Sequence, residues 1–255
     1  TTAPQSKEYA GYADAHWREL IERYQPAILW NDITYPRLSQ LAQIVADYYN
    51  RFPDGLINNR FGADFADFTT PEYAQYDGIT EKKWESCRGL GFSFGYNQIE
   101  DQRHVIASGK LIEMLIDITS KNGNLLLNIG PKPDGSIPAI QLDRLKALGA
   151  WLRVNGEAIF DSKPWVRPSA GPGVRFTKKG DSLYAFLFQP PAAGAFTVPG
   201  VLAPEGMKVE LLGQAGAVTW NQQDNDVVVA APAQLPGAYA LTLKMTPAPR
   251  PAVRA

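Results

Sequence analysis

The sequence predicts an α/β domain followed by an antiparallel β-sandwich. Three observations predict it. Up to about Trp165, segments with helical spacing of apolar residues alternate with short strand-like segments, the pattern of parallel βαβ units. Two of those strand segments, "AILW" and "NLLLNIG", are almost continuously apolar, as strands covered on both faces are. After Trp165 the texture changes to short strands separated by turn residues, the spacing of a sandwich. The expected domains are therefore 1–165 and 166–246. The Pro-rich end, "TPAPRPAVRA", predicts a disordered tail over 247–255.

The elements follow in order. "YADAHWRELIERY" places Trp17, Leu20, Ile21 and Tyr24 at helical spacing, and Pro26 stops the helix. "AILW" is a short strand. "RLSQLAQIVADYYNRF" is a helix with Leu38, Leu41, Ile44, Val45 and Tyr48 on one face. "DGLINN" and "KKWESCRG" are strands. "ASGKLIEMLIDITSKNG" is a helix that leads directly into the strand "NLLLNIG". "IPAIQLDRLKALGAWLRVNG" is a helix with Pro138 in its first turn and Gly156 just past its end. Four such units are too few to close a barrel, and the two open sheet edges need covering. Beyond Trp165, Lys179-Gly180-Asp181 joins two strands as a hairpin, and "MKVELLG", "AVTWNQQ", "DVVVAA" and "AYALTLKM" continue the sandwich.

Composition narrows the partners. The chain has 255 residues, 45% of them hydrophobic, enough for a substantial core. Lys and Arg total 25 against 26 Asp and Glu, so no basic field exists to neutralise a nucleic-acid backbone. No apolar run is long enough to cross a bilayer as a helix. The single cysteine, Cys87, excludes an intrachain disulfide. That fits a reducing compartment and equally a secreted or periplasmic bacterial product that needs no bridge, so the compartment stays open. The chain begins "TTAPQSKEYA" without a methionine, as expected if a leader was removed or if it starts inside a longer product.

The candidate chemistry lies at strand ends. Asp32 directly follows "AILW", where α/β barrels place catalytic groups, and Trp30 beside it offers a flat face to a sugar. The commoner explanation of such an Asp is a turn or helix cap. Asn58, Asn59 and Arg60 end the next strand, and Arg60 suits a hydroxyl-rich ligand or a carboxylate. Glu72 sits in the long aromatic loop that follows, where a solvated surface Glu is the ordinary reading. Glu85 ends the next strand, ahead of an aromatic Gly-rich loop with Phe92, Phe94 and Tyr96. "GLGFSFG" lacks the dinucleotide fingerprint. His16 and His104, the only histidines, have no metal-ligand spacing and no Ser or Cys partner. No metal and no cofactor are expected. Carboxylates and aromatics at strand ends are the working groups of a glycosidase.

Several motifs together resemble the family 29 α-L-fucosidases: "LWND", "YYN", "NNRFG", "TTPEY", "KWESCRGLGFSFGYN", "SKNGNLLLNIGPKPDGSIP" and "RLKALGAWLRVNGEAIF". The likeness runs from about Tyr9 to about Met245. It implies a retaining exo-α-L-fucosidase acting on terminal fucose of fucosylated glycans. It makes Asp32 the nucleophile and Glu72 the acid/base, with Glu85 in reserve, and Trp30, Arg60 and Phe94 substrate-binding. It also implies that 1–165 is the C-terminal part of a (β/α)8 TIM-like barrel, a partial barrel here. The family's longer N-terminal region is not in this sequence. The expected partner is thus the missing N-terminal half-barrel or a second copy of the chain. The alternative is a truncated, non-catalytic carbohydrate-binding protein, with Trp220 as the sandwich's platform.

Overall fold

The computed structural model describes residues 2–62, 64–189, 191 and 194–252. The chain divides by packing into two compact units. One comprises Thr1–Pro71 with Lys82–Glu85, the other Glu72–Glu81 with Ser86–Ala255.

The first unit opens with α1 (Lys7–Tyr24), whose N-terminus is capped by Ser6, its hydroxyl accepting the Tyr9 N–H. Gln25 ends it in the left-handed region, and Pro26 prevents continuation. The strand β1 (Ile28–Leu29) follows, then α2 (Leu41–Arg51), then β2 (Leu56–Ile57), which pairs parallel with β1. The helix expected from Arg37 starts only at Leu41, leaving Leu38 65% exposed. Its N-terminal cap comes from α1: the Asp14 carboxylate accepts the Gln40 N–H at 2.8 Å and the Tyr35 hydroxyl at 3.0 Å. Leu29, Ile44, Val45, Tyr48, Ile57 and Phe61 form the core. The sheet is apolar on both faces, as expected, but only one face is covered in this unit. Leu29 and Ile57 are buried, while their neighbours Ile28 and Leu56 are 44% and 41% exposed. Two further parallel partners complete the unit, β3 (Phe68–Thr69) and the start of β4 (Lys83–Gly89). The sequence had shown β3 only as loop.

Burial, and then the Asp14 carboxylate, raise the Tyr35 phenol above its ordinary value. Burial and Asp67 do the same for Tyr49. Because the folded state holds these protons more tightly, their stabilisation is complete below about pH 10 and fades as pH rises through the folded values. Thermal midpoints measured above pH 10 should therefore fall, and the fall should be shallower in Tyr35→Phe.

Among the described residues the second unit contains α3 (Ser108–Ser120), β5 (Gly123–Asn128) and α4 (Ala139–Asn155), followed by ten strands. These are β6 (Lys163–Ser169), β7 (Val174–Lys179), β8 (Ser182–Leu187), β9 (Ala195–Val198), β10 (Val201–Leu202), β11 (Lys208–Leu211), β12 (Trp220–Gln223), β13 (Asp226–Ala230), β14 (Leu241–Thr246) and β15 (Arg250–Pro251). Five form an antiparallel sheet in the order β11-β14-β8-β7-β6, and three form another, β12-β13-β9. Phe176, Ala185, Val198, Val209, Val229 and Leu243 fill the core shared by the two sheets. Every residue of β8 is buried, because α3 and α4 cover the other face of its sheet, Ile112, Ile116 and Trp151 packing with Tyr184 and Phe186 of β8. The Trp151 indole N–H donates to the Ala240 carbonyl at 2.7 Å. This packing is why the compact unit extends across the expected boundary at residue 165.

Three further expectations need correction. Leu126 in β5 is 40% exposed, so "NLLLNIG" is not fully buried among the described residues. Trp220, expected as an open platform, is half-buried against the sandwich core. The tail expected to be disordered over 247–255 carries β15, paired antiparallel with β10, and Ala252 donates to the Gly200 carbonyl; residues 253–255 lie outside the described set. An antiparallel partner outweighs the local extended bias of a Pro-rich segment, and Pro is tolerated in an edge strand. No described helix is long and apolar enough to cross a membrane.

Candidate active site

In the first unit the chain leaves β1 through Trp30, Asn31 and Asp32. Asn58, wholly buried at the end of β2, grips the backbone of Asn31 at both groups. Its Oδ1 accepts the Asn31 N–H at 3.0 Å and its Nδ2 donates to the Asn31 carbonyl at 2.9 Å. The Asn31 carboxamide in turn donates to the carbonyls of Asp32, Thr34 and Arg60, at 3.1, 2.9 and 3.0 Å. The next two residues are strained. Ile33 and Thr34 have φ of 59° and 68°, the left-handed region that β-branched side chains resist at about 1–3 kcal/mol each.

Asp32 Oδ1 accepts the Ile33 N–H at 2.9 Å and Arg60 Nη1 at 2.8 Å. The Asp32 side chain is 56% exposed, whereas that of Arg60 is 15% exposed. Arg60 is anchored below by Thr70, through Nε to Oγ1 at 2.8 Å and Nη2 to the carbonyl at 2.9 Å. Thr70 is itself fixed by Asn59 Oδ1, which accepts its N–H and its hydroxyl. The guanidinium lies 4.8 Å from the Trp30 ring centre, a cation–π contact, and the Trp30 indole donates to Glu85 Oε1 at 2.7 Å. Trp30, Asp32, Arg60 and Glu85 therefore form one connected group. Asp32 also borders an open cleft of about 410 Å³ lined by Tyr9, Tyr12 and His16.

Glu72 and Phe94 belong to the second unit. Glu72 is exposed and bridges in parallel to Cys87 of β4. Tyr73, directly after it, has φ of 48°, and its N–H donates to the Cys87 carbonyl at 3.1 Å. The Tyr73 hydroxyl accepts the Gly89 N–H at 3.1 Å and donates to the Gly91 carbonyl at 3.2 Å, and its ring meets Phe94 edge-on at 5.3 Å. The aromatic loop is ordered around Glu100, whose Oε1 accepts the Phe92 and Ser93 N–H groups. Asn128 donates to the Phe94 carbonyl. Gly130 passes so close to Gly95 and Tyr96 that a Cβ would sit 2.8 Å from the Tyr96 nitrogen. "NIG" therefore braces this loop as well as turning.

Neither histidine joins the group. His16 packs on Tyr12 at 4.0 Å, and His104 sits beside Asp101 and Phe92. The described residues contain no cluster suited to a metal ion. The sequence did not reveal the roles of Asn31, Tyr73 or Glu100. The only available signal was that Asn31 and Asn58 each follow an apolar strand.

Carboxylates grouped with tryptophan and arginine in an α/β unit are the working groups of a glycoside hydrolase. The comparisons agree. A family model described as Alpha-L-fucosidase matches residues 1–157, and one described as Alpha-L-fucosidase C-terminal domain matches 167–246. The chain belongs to the α-L-fucosidase family, glycoside hydrolase family 29. It is 31% identical over 246 residues to the tissue α-L-fucosidase of Bos taurus, covering 89% of this chain and 53% of that protein. Thermotoga maritima α-fucosidase in complex with a mechanism-based inhibitor superposes with a TM-score of 0.85 at 34% identity, covering 95% of this chain and 57% of that one. The same enzyme in complex with fucose gives 0.84 at 33%, covering 95% and 57%. The chain thus spans about half the length of the relatives it matches.

Proposed function

We propose that this chain carries the catalytic carboxylates of a retaining exo-α-L-fucosidase that removes terminal fucose from fucosylated glycans. The observation that carries the reading is the Asp32 carboxylate held at the end of β1 by Arg60, with Trp30 and Glu85 locked beside it. In this reading Asp32 attacks the anomeric carbon while Glu72 protonates the departing oxygen. A fucosyl–enzyme ester forms, Glu72 deprotonates water, and fucose leaves with its configuration retained. Glu85, whose Oε1 is engaged by the Trp30 indole, stays the reserve for the acid/base role and otherwise orients Trp30. Arg60 binds substrate hydroxyls. Trp30 and Phe94 give the sugar's methyl group an apolar wall, a preference of about 1–3 kcal/mol over a hydroxymethyl sugar.

The α/β part is read as the C-terminal portion of a (β/α)8 barrel. Parallel pairing of β1 with β2 and of β3 with β4 supports this, as do the uncovered Ile28 and Leu56. The partner that covers them is the N-terminal half-barrel present in the longer relatives, with a second copy of this chain as the alternative. The non-catalytic, sugar-binding reading is the alternative; its expected platform, Trp220, is half-buried against the sandwich core.

The test is to incubate the chain, alone and with the matching N-terminal segment supplied separately, with 4-nitrophenyl α-L-fucoside and to follow the first-formed sugar by NMR. α-Fucose appearing first is the expected result. β-Fucose first would overturn the retaining mechanism. No turnover in either form would overturn the catalytic reading and leave sugar binding.

A further inference from the structure

We propose that Asn31 and Asn58 are positioning residues for the Asp32 carboxylate, acting through the backbone of the strained turn that carries it. The inference rests on the reading of Asp32 as nucleophile. β1 and β2 are paired by regular register only at Ile28–Leu56 and Leu29–Ile57. Where that pairing stops, the Asn58 side chain takes over and holds the Asn31 N–H and C=O as a neighbouring strand would. Asp32 thus begins one residue beyond a fixed point.

The turn after it would not hold this shape unaided. Among the described non-glycine residues with positive φ, Ile33 and Thr34 are the only β-branched ones, and they are adjacent. Strain of this kind persists where surroundings over-determine it. Here the surroundings are the Asn31 carboxamide, which gathers the Asp32 and Thr34 carbonyls from both sides of Ile33. Ala3 adds its N–H to the Ile33 carbonyl and to Thr34 Oγ1. The same Asn31 amide holds the Arg60 carbonyl, so one buried group sets the spacing between the carboxylate and the guanidinium that grips it. Asn31 and Asn58 are 9% and 0% exposed, which makes their polar atoms costly to leave unpaired and the arrangement discrete rather than adjustable.

The experiment compares Asn31→Ala, Asn31→Asp and Asp32→Gly in the form of the protein found active above. Asn31→Ala should lower kcat about 100-fold, the order of loss for a misplaced reacting group. KM and competitive inhibition by fucose should stay within about twofold. The loss should be equal for 4-nitrophenyl and for poorly activated leaving groups, because attack is needed by both. Asn31→Asp, which has the same shape but turns an oxygen toward three carbonyls, should not restore kcat. Unchanged kcat in Asn31→Ala, with turnover lost in Asp32→Gly, overturns this inference alone. Turnover retained in Asp32→Gly overturns the reading it rests on. Hydrogen exchange on the unaltered 255-residue chain decides the matter if the variants do not fold or no active form is found. A slowly exchanging Asn31 amide supports the clamp, and fast exchange there overturns it.

Discussion

Asp32→Gly is expected to turn over 4-nitrophenyl α-L-fucoside about 10⁴-fold more slowly than its parent, with little change in stability. The two halves of this expectation have separate physical grounds. In the proposed mechanism the carboxylate is the attacking group, so its loss removes the covalent route itself rather than one contact among several. Its contribution to the fold is small. The Asp32 side chain is 56% exposed, and such pairs contribute about 0–1 kcal/mol to stability. Arg60 stays anchored on Thr70 when Asp32 is removed, so the guanidinium remains in place. A small anion such as azide should bind in the vacated space, attack the opposite face from the leaving group, and restore part of the rate with an activated substrate. The measurement is kcat/KM with and without azide, next to thermal melting. Residual activity above a tenth of the parent would remove Asp32 from the nucleophile role.

The second large effect concerns stability and lies far from any catalytic group in the sequence. Asp117 on α3 accepts Lys121 Nζ at 2.7 Å and Arg175 Nε, from β7, at 2.6 Å. The three side chains are only 10%, 12% and 18% exposed. Asp117→Ala removes the carboxylate that two largely buried cations share and should cost about 3–5 kcal/mol, a large share of the stability of an ordinary domain. The control is Asp47→Ala. Its pair with Arg18 is 51% and 40% exposed, so the cost there should stay below about 1 kcal/mol. Urea unfolding of both variants checks the contrast. Equal midpoints would show that water reaches Asp117 freely.

Much of this was legible in the sequence because it is written in local patterns. The helix read from "ASGKLIEMLIDITSKNG" spans Ser108–Ser120, and the one after Pro138 spans Ala139–Asn155, with Gly156 just past its end. The Lys179-Gly180-Asp181 hairpin joins β7 to β8 in register. Asp32 and Arg60 could be singled out because each follows a strand-like run and Trp30 because it closes one; Glu85, expected at a strand end, lies within β4, and the structure connects all four. What could not be read depends on register between distant segments. Asn58 reaches Asn31 only because β2 lies parallel to β1, and no spacing of 27 residues announces that. The left-handed Ile33 and Thr34 run against their own preferences, so local rules point away from them. The cover that α3 and α4 give β8 likewise left no mark except an uninterrupted apolar strand, which a strand inside either domain would also show.

The last strand has a practical consequence for how the protein is handled. β15 is two residues long, one of them proline, and it lies along β10. Proline cannot donate to another chain, so β15 closes the Val201–Leu202 edge without offering a new one of its own. A protease that trims the chain after Met245 would leave every catalytic candidate in place and uncover that apolar edge. Such a preparation would lose material to precipitation on storage. Loss of soluble protein, with the first unit intact, would be the symptom of damage at this end.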